Sequence, residues 1–230
     1  MSASVLIVDD QPHNAAVMES VLANRGYSVR TANDAESAMA SIQARCPGLV
    51  ITDFESSGMD GLQFCRSVRQ TSNVPIIVIS SNRDSRAEVA ALDSGADDYL
   101  LKPLLNEKLL ARVRATLRRC SEPTEVPELG VGAFHVDFQQ RRVRVRGESV
   151  RLTPKEFDLF VFMARHPNRV LTHRALLSAV WGEASEDQSE YLRVFMGQLR
   201  KKLETDPSNP RYLTTEPWVG YRFNPNGATQ

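Results

Sequence analysis

Two apolar runs in this chain end in carboxylates. Val5-Leu6-Ile7-Val8 leads into Asp9 and Asp10, and Leu49-Val50-Ile51-Thr52 leads into Asp53. Short, continuous, β-branched runs are the pattern of strands covered on both faces. Strand-like runs recur at residues 5–8, 28–31, 49–52, 76–80 and 98–101, with helical candidates near 13–24, 35–45, 61–70, 85–94 and 106–119. Five β-α repeats of this length predict a parallel sheet with helices on both faces. The paired acids add a constraint of their own. Adjacent carboxylates ending a buried strand repel each other and lose hydration, so a bound cation is the simplest compensation.

The rhythm breaks at Ser121-Glu122-Pro123-Thr124-Glu125-Val126-Pro127-Glu128, where two prolines and three acids predict a linker over residues 121–128. Beyond it, residues 130–152 alternate as short antiparallel strands, with a hairpin through 141–148 whose arginines at every second position face solvent. Thr153-Pro154-Lys155-Glu156 predicts a helix start with a capping box. A second helix is expected from about Thr172, a third over roughly 187–204, and a closing strand pair at 212–215 and 220–223. Strands, three helices and a terminal hairpin form the order of an α+β winged helix-turn-helix. The division is therefore 1–120, linker 121–128, second domain 129–226 and tail 227–230.

Composition fits a globular chain: 230 residues, 42% hydrophobic and 24% charged, with a formal net charge of zero. The charge is unevenly placed. Residues 1–125 hold 13 basic and 16 acidic side chains, residues 126–230 hold 15 and 12. A cation site in the first half and a polyanion partner for the second follow as expectations. Cys46, Cys65 and Cys120 have no paired spacing and read as reduced thiols. With no signal-like leader and no membrane-length apolar stretch, a soluble cytoplasmic protein without membrane insertion is expected.

In a doubly wound, flavodoxin-like sheet of order 2-1-3-4-5, ligands bind at the carboxyl ends of strands beside the switch point. Asp9, Asp10 and Asp53 then converge there with Ser80 from the fourth strand and Lys102 from the fifth. Three carboxylates, a hydroxyl and an ammonium suit a hard cation, Mg²⁺, and a phosphoryl group.

At these residues the chain resembles the receiver domain of two-component response regulators over all of 1–120, with Met59-Asp60-Gly61, Gly95-Ala96-Asp97-Asp98-Tyr99-Leu100 and Lys102-Pro103 adding agreement. The resemblance implies that Asp53 is the phospho-acceptor and that Asp9, Asp10, Asp53 and the backbone carbonyl of Glu55 hold Mg²⁺. It also implies that Ser80 and Lys102 contact the phosphoryl group, that Tyr99 turns inward as the switch, and that Lys102-Pro103 is cis. Ser57 in place of the family's usual Pro and Leu104 in place of Phe imply a looser loop.

Residues 129–226 resemble the OmpR/PhoB type of winged-helix domain. The carrying segments are Leu152-Thr153-Pro154-Lys155-Glu156-Phe157, Leu176-Leu177-Ser178-Ala179-Val180-Trp181-Gly182, Leu199-Arg200-Lys201-Lys202-Leu203-Glu204 and Gly220-Tyr221-Arg222-Phe223. Tyr191-Leu192-Arg193-Val194-Phe195-Met196-Gly197 is similar to Kdp-type regulators. In the third helix, Leu192, Met196, Leu199 and Leu203 form an apolar stripe. The resemblance sends the opposite face into the major groove of promoter DNA, with Arg193, Arg200 and Lys201 on phosphates and Val194 and Gln198 toward bases. Glutamine pairs best with adenine. Trp218, beside Pro217 in the wing, packs either on sugar or on its own domain. The 182–189 stretch is either an RNA polymerase contact or a plain surface loop.

The family's homodimer implies charge pairs Asp98 with Arg112 and Asp97 with Arg119, plus Glu88 with Lys108 in reversed sign. The resulting expectation is a transcription regulator, not an enzyme, in which a sensor histidine kinase phosphorylates Asp53 and so promotes dimerisation and promoter binding. The alternatives are a DNA-binding regulator whose receiver only dimerises, and an Asp-nucleophile phosphatase, against which the DNA-binding half argues.

Overall fold

The apolar runs become strands because both of their faces are covered. In the computed structural model, which describes residues 3–53, 55, 60–119, 127–182 and 189–227 (118 and 119 by backbone only), the chain separates into two compact units, Met1–Ser121 and Glu122–Gln230. The first unit alternates β1 (Ser4–Val8), α1 (Pro12–Ala23), β2 (Ser28–Ala32), α2 (Ala35–Ala44), β3 (Leu49–Asp53), α3 (Gly61–Thr71), β4 (Ile76–Ser80), α4 (Ser85–Asp93), β5 (Asp98–Leu101) and α5 (Asn106–Arg119). All pairings are parallel and the order is β2-β1-β3-β4-β5, as expected. Every residue of β3 and β4 is buried. One side of the sheet carries Val5, Ile7, Leu49, Ile51, Ile77 and Ile79 into a core shared with Leu22, Leu110 and Val113.

Three acids of this unit are helix caps. Asp34, Asp60 and Asp84 accept bonds from the backbone amides of Ser37, Leu62 and Arg86 at 2.7, 2.9 and 2.9 Å. Each satisfies a donor that the first helical turn leaves unpaired, with its charge at the positive end of the helix dipole.

The second unit opens with an antiparallel sheet β6 (Glu128–Val131), β7 (Phe134–Asp137), β8 (Arg142–Val145) and β9 (Glu148–Val150), in that order. Arg142, Arg144 and Arg146 are exposed, as their period predicts. There follow α6 (Pro154–Ala164), β10 (Val170–Thr172), α7 (His173–Trp181), α8 (Ser189–Leu203), β11 (Leu213–Glu216) and β12 (Gly220–Phe223). The capping box forms: Thr153 caps Glu156, and the Glu156 carboxylate accepts the Thr153 amide at 2.7 Å.

Two boundaries differ from the sequence expectation. Glu128, the last residue assigned to the linker, already pairs with Asp137 in β6. The strand β10 was not expected at all. It joins β12 to make a three-stranded sheet β10-β12-β11. Aromatic packing ties this sheet to the rest: Phe134 meets Phe160, Tyr212 and Phe223 at ring separations of 5.3, 4.9 and 5.0 Å. Such tilted and edge-on contacts add to the burial of apolar area.

Candidate functional site

Because β1, β3, β4 and β5 are parallel and in register, their carboxyl ends lie along one edge. Val8 is opposite Thr52, Asp53 opposite Ile79, and Ser80 opposite Leu101. The residues that end these strands therefore meet: Asp9, Asp53 and Ser80 are all buried. Lys102 reaches Asp53 with Nζ 2.5 Å from Oδ2, and the carboxylate is only 4% exposed. The other Asp53 oxygen, Oδ1, accepts the Glu55 amide at 3.1 Å. Asp9 accepts the Gln11 amide at 2.8 Å. Burial, with the neighbouring charges of Asp53 and Asp10, pushes the Asp9 carboxyl above its usual range, against the Gln11 amide and Lys102.

Ser80 is bonded to Glu55 and Asn82 and also lies in hydrogen-bond reach of the Tyr99 hydroxyl. The Ser80 hydroxyl donates to Glu55 Oε1 at 3.3 Å and accepts the Asn82 amide at 3.0 Å. Ser81 donates to the second oxygen of Glu55. These bonds, that of Ser81 above all, hold the Glu55 carboxyl below its usual range. Tyr99 is 3% exposed, and its hydroxyl donates to the Asn82 carbonyl at 2.9 Å. The Tyr99 ring, expected to turn inward on switching, lies inside in this structure. The Lys102-Pro103 bond is cis. Ser57 and Met59 lie outside the described residues. The Glu55 side chain, Ser81 and Asn82 are site neighbours that sequence reasoning missed; only their closeness to Asp53 and Ser80 along the chain hints at them.

In the second unit, α8 buries Tyr191, Leu192, Phe195, Met196, Leu199 and Leu203, a wider stripe than the four residues predicted. The other side presents exposed Arg193 and Lys201 and half-buried Val194, Gly197 and Gln198. Space opposite Gly197 is open, so backbone can be approached closely there. Arg193 pairs with Glu190 at 2.8 Å, with both side chains mostly in water.

Comparison with known proteins agrees with both halves. The response regulator receiver domain family matches residues 5–114, and the family "Transcriptional regulatory protein, C terminal" matches residues 147–223. The KDP operon transcriptional regulatory protein KdpE of Escherichia coli is 40% identical over 221 residues, 96% of this chain and 98% of that one. The DNA-binding response regulator MtrA of Mycolicibacterium smegmatis is 38% identical over 226 residues, 98% of each chain. Among solved structures, the response regulator DrrB of Thermotoga maritima, an OmpR/PhoB homolog, superposes with a TM-score of 0.53 at 27% identity, over 97% of this chain and 100% of that one. The chain belongs to the OmpR/PhoB-type response regulators.

Within this response regulator, Arg200, Asp97, Asp98 and Arg112 have partners inside the chain that the resemblance did not imply. Arg200, expected on phosphate, is turned to its own wing. Its Nε and Nη2 donate to the Leu213 carbonyl at 2.9 and 2.7 Å, and Nη2 also reaches Thr215 Oγ1 at 2.8 Å. The planar guanidinium satisfies β11 acceptors while lying 5.7 Å from the Tyr221 ring centre. Burial lowers its pKa from the ordinary arginine value.

Asp97, expected in a dimer pair with Arg119, is fully buried in its own receiver. Its carboxylate accepts Arg69 Nη2 at 2.6 Å and the Ile76 amide at 2.8 Å. Asp98 and Arg112 do pair, at 3.5 Å, but inside one chain and with side chains only 1% and 2% exposed. Glu88 is half-buried and Lys108 exposed. The Arg119 side chain and residues 183–188 lie outside the described residues.

The regulator's wing is built around a tight turn. Gly220 is required: a Cβ there would lie 1.9 Å from the Leu171 carbonyl oxygen. Trp218 has φ +66° and is 100% exposed, with Val219 also largely exposed. Of its two expected settings, packing on its own domain is ruled out. Among the described residues, no helix is long and apolar enough to cross a membrane.

Proposed function

We propose that this regulator is switched in the cytoplasm by transfer of a phosphoryl group from a sensor histidine kinase to Asp53. The observation carrying this reading is the ion pair between Lys102 and a nearly buried Asp53, at a strand edge shared with Asp9 and Ser80. An Asp53 oxygen attacks phosphorus as the phosphohistidine P–N bond breaks, giving an acyl phosphate and returning the histidine side chain. Lys102 then follows the charge from the carboxylate onto the phosphoryl oxygens. Ser80 can donate its hydroxyl to one of those oxygens.

A cation fits this edge, because the Asp9 carboxyl is held up by burial and by the charges of Asp53 and Asp10. Among the described residues, no group of three or more His, Cys, Asp or Glu side chains is arranged to hold a metal ion. Mg²⁺ keeps several waters in its shell, so the protein need supply only part of its ligands. Asp9, Asp10, Asp53 and the Glu55 carbonyl would hold it, and when bound it supplies positive charge beside the phosphoryl oxygens.

The added charge, about −1.5 to −2, reorganises the edge and favours a homodimer that binds promoter DNA and engages RNA polymerase. The α8 face around Gln198 and Lys201 enters the major groove. On this reading the chain is a switch and turns over no substrate of its own. Incubation with Mg²⁺ and a small phosphodonor should label the wild type but not Asp53→Asn, and footprints should strengthen with label. Unlabelled wild type refutes the proposal.

A second reading has one observation in its favour. Tyr99 is buried, with its hydroxyl on the Asn82 carbonyl. A receiver resting in that arrangement could dimerise and support DNA binding without phosphorylation. Equal promoter affinity of wild type and Asp53→Asn, with and without phosphodonor, would favour it.

A further inference from the structure

Glu55 stands two residues beyond the acceptor and is tied to it: its amide donates to Asp53 Oδ1 at 3.1 Å. Its side chain crosses to the loop between β4 and α4. There Oε1 takes the Ser80 hydroxyl at 3.3 Å, and Oε2 takes that of Ser81. A serine hydroxyl has one proton to donate. A carboxylate can only accept, so in the contact between Ser80 and Glu55 the proton is that of Ser80; the Tyr99 hydroxyl is a further neighbour of the same serine. The Ser80 oxygen accepts the Asn82 amide at 3.0 Å, and the Asn82 carbonyl accepts the Tyr99 hydroxyl at 2.9 Å. What Ser80 donates to is thereby linked through one residue to the buried tyrosine.

We propose that Glu55 and phosphorylated Asp53 compete for the Ser80 proton, so that Glu55 sets how readily phosphorylation moves the loop between β4 and α4. The inference rests on Asp53 being the phospho-acceptor. Before transfer, the Glu55 carboxylate is seated by Ser81 and holds Ser80 away from the acceptor. After transfer, the Ser80 O–H rotates to a phosphoryl oxygen. Glu55 keeps Ser81 alone, and its negative charge now faces that of the phosphoryl group. Both effects weigh against the phosphorylated arrangement. Lys102, whose charge acts on Glu55 as well as on Asp53, partly offsets the repulsion. Ser81 is the seat of this device: its hydroxyl donates to Glu55 and, among the described residues, makes no hydrogen bond to Asp53 or Lys102.

The test uses the ¹⁵N-labelled full chain with Mg²⁺ and phosphoramidate. Glu55→Ala and Ser81→Ala should each shift the Asn82 amide resonance of the unphosphorylated chain toward its position in phosphorylated wild type. Each should also lower the half-saturating phosphoramidate concentration about threefold, the scale of one solvent-exposed charged hydrogen bond. Because the two side chains act as one unit, the double variant should do no more than either single one. Full additivity, or wild-type Asn82 resonances in both variants of a chain that is phosphorylated normally, overturns the inference alone. A wild-type chain that accepts no phosphoryl group overturns the Asp53 reading and the inference together.

Discussion

Arg69 and Asp97 meet at 2.6 Å with almost no access to water, the arginine 12% and the aspartate 0% exposed. Arg69 also donates to the carbonyls of Gly95 and Val74, at 2.9 and 2.5 Å. A single side chain from α3 thus gathers the segments that lead into β4 and β5. Removing it leaves a buried carboxylate without its cation, which costs about 3 kcal/mol or more. Arg69→Ala should lower the receiver's unfolding free energy, read from urea titration, by that amount. Replacing both residues with apolar ones of similar volume should cost less than Arg69→Ala alone. Equal losses would mean the ion pair is not the unit of stability.

Two adjacent basic residues of α8, Arg200 and Lys201, should separate in a salt titration. Lys201 is exposed, whereas Arg200 is committed to the Leu213 carbonyl. Lys201→Ala should weaken promoter binding and flatten the salt dependence by about one counterion. Arg200→Ala should instead lower the unfolding temperature of the winged-helix unit and leave the salt slope unchanged. A reduced slope in Arg200→Ala would return that residue to the phosphate contacts.

Base choice should follow Gln198. If it faces a base edge, Gln198→Arg changes the preferred base at one operator position from adenine to guanine, with about 1–3 kcal/mol of discrimination. Selection from a randomised site library is the measurement. An unchanged preference would place Gln198 off the base edges.

The two described cysteines should differ sharply toward iodoacetamide. Burial pushes the Cys65 thiol up to about 12, whereas Cys46 is exposed. At pH 8 the native chain should be alkylated at Cys46 and not at Cys65, since the thiolate is the reactive form. Because the folded value lies above the ordinary 9.0, stability from keeping this thiol protonated is complete below pH 9 and fades as pH rises toward 12. Peptide mapping after alkylation, with and without urea, checks both sites. Labelling of Cys65 in the native chain at pH 8 would contradict its burial.

The receiver sheet was readable because fully buried strands leave an unbroken apolar record: Val5 to Val8 and Ile76 to Ile79 admit no other placement in a β-α repeat. Strand order then brought Asp9, Asp53, Ser80 and Lys102 together. Side-chain direction was harder to read. Arg200 has the charge of a phosphate ligand, but its length lets it reach a β11 carbonyl that no local pattern announces. Asp97 and Asp98 are neighbours of one type, yet each is claimed by a different arginine through folding. Strand β10, three residues long, is too short to show a period and exists through its partner β12. Glu55 was noted for its backbone alone. Its carboxylate finds the two serines only once β3 and β4 lie side by side.

The turn that lifts Trp218 out of the wing also has an optical consequence. The chain contains two tryptophans, and the other, Trp181, is packed against Phe195 in the domain interior. Their indoles therefore sit in opposite environments, and Trp181→Phe would leave the wing tip as the sole source of indole emission. The regulator thus carries an exposed fluorophore at its wing tip, and a change in its emission on adding promoter DNA would report, without an attached dye, whether DNA reaches the wing.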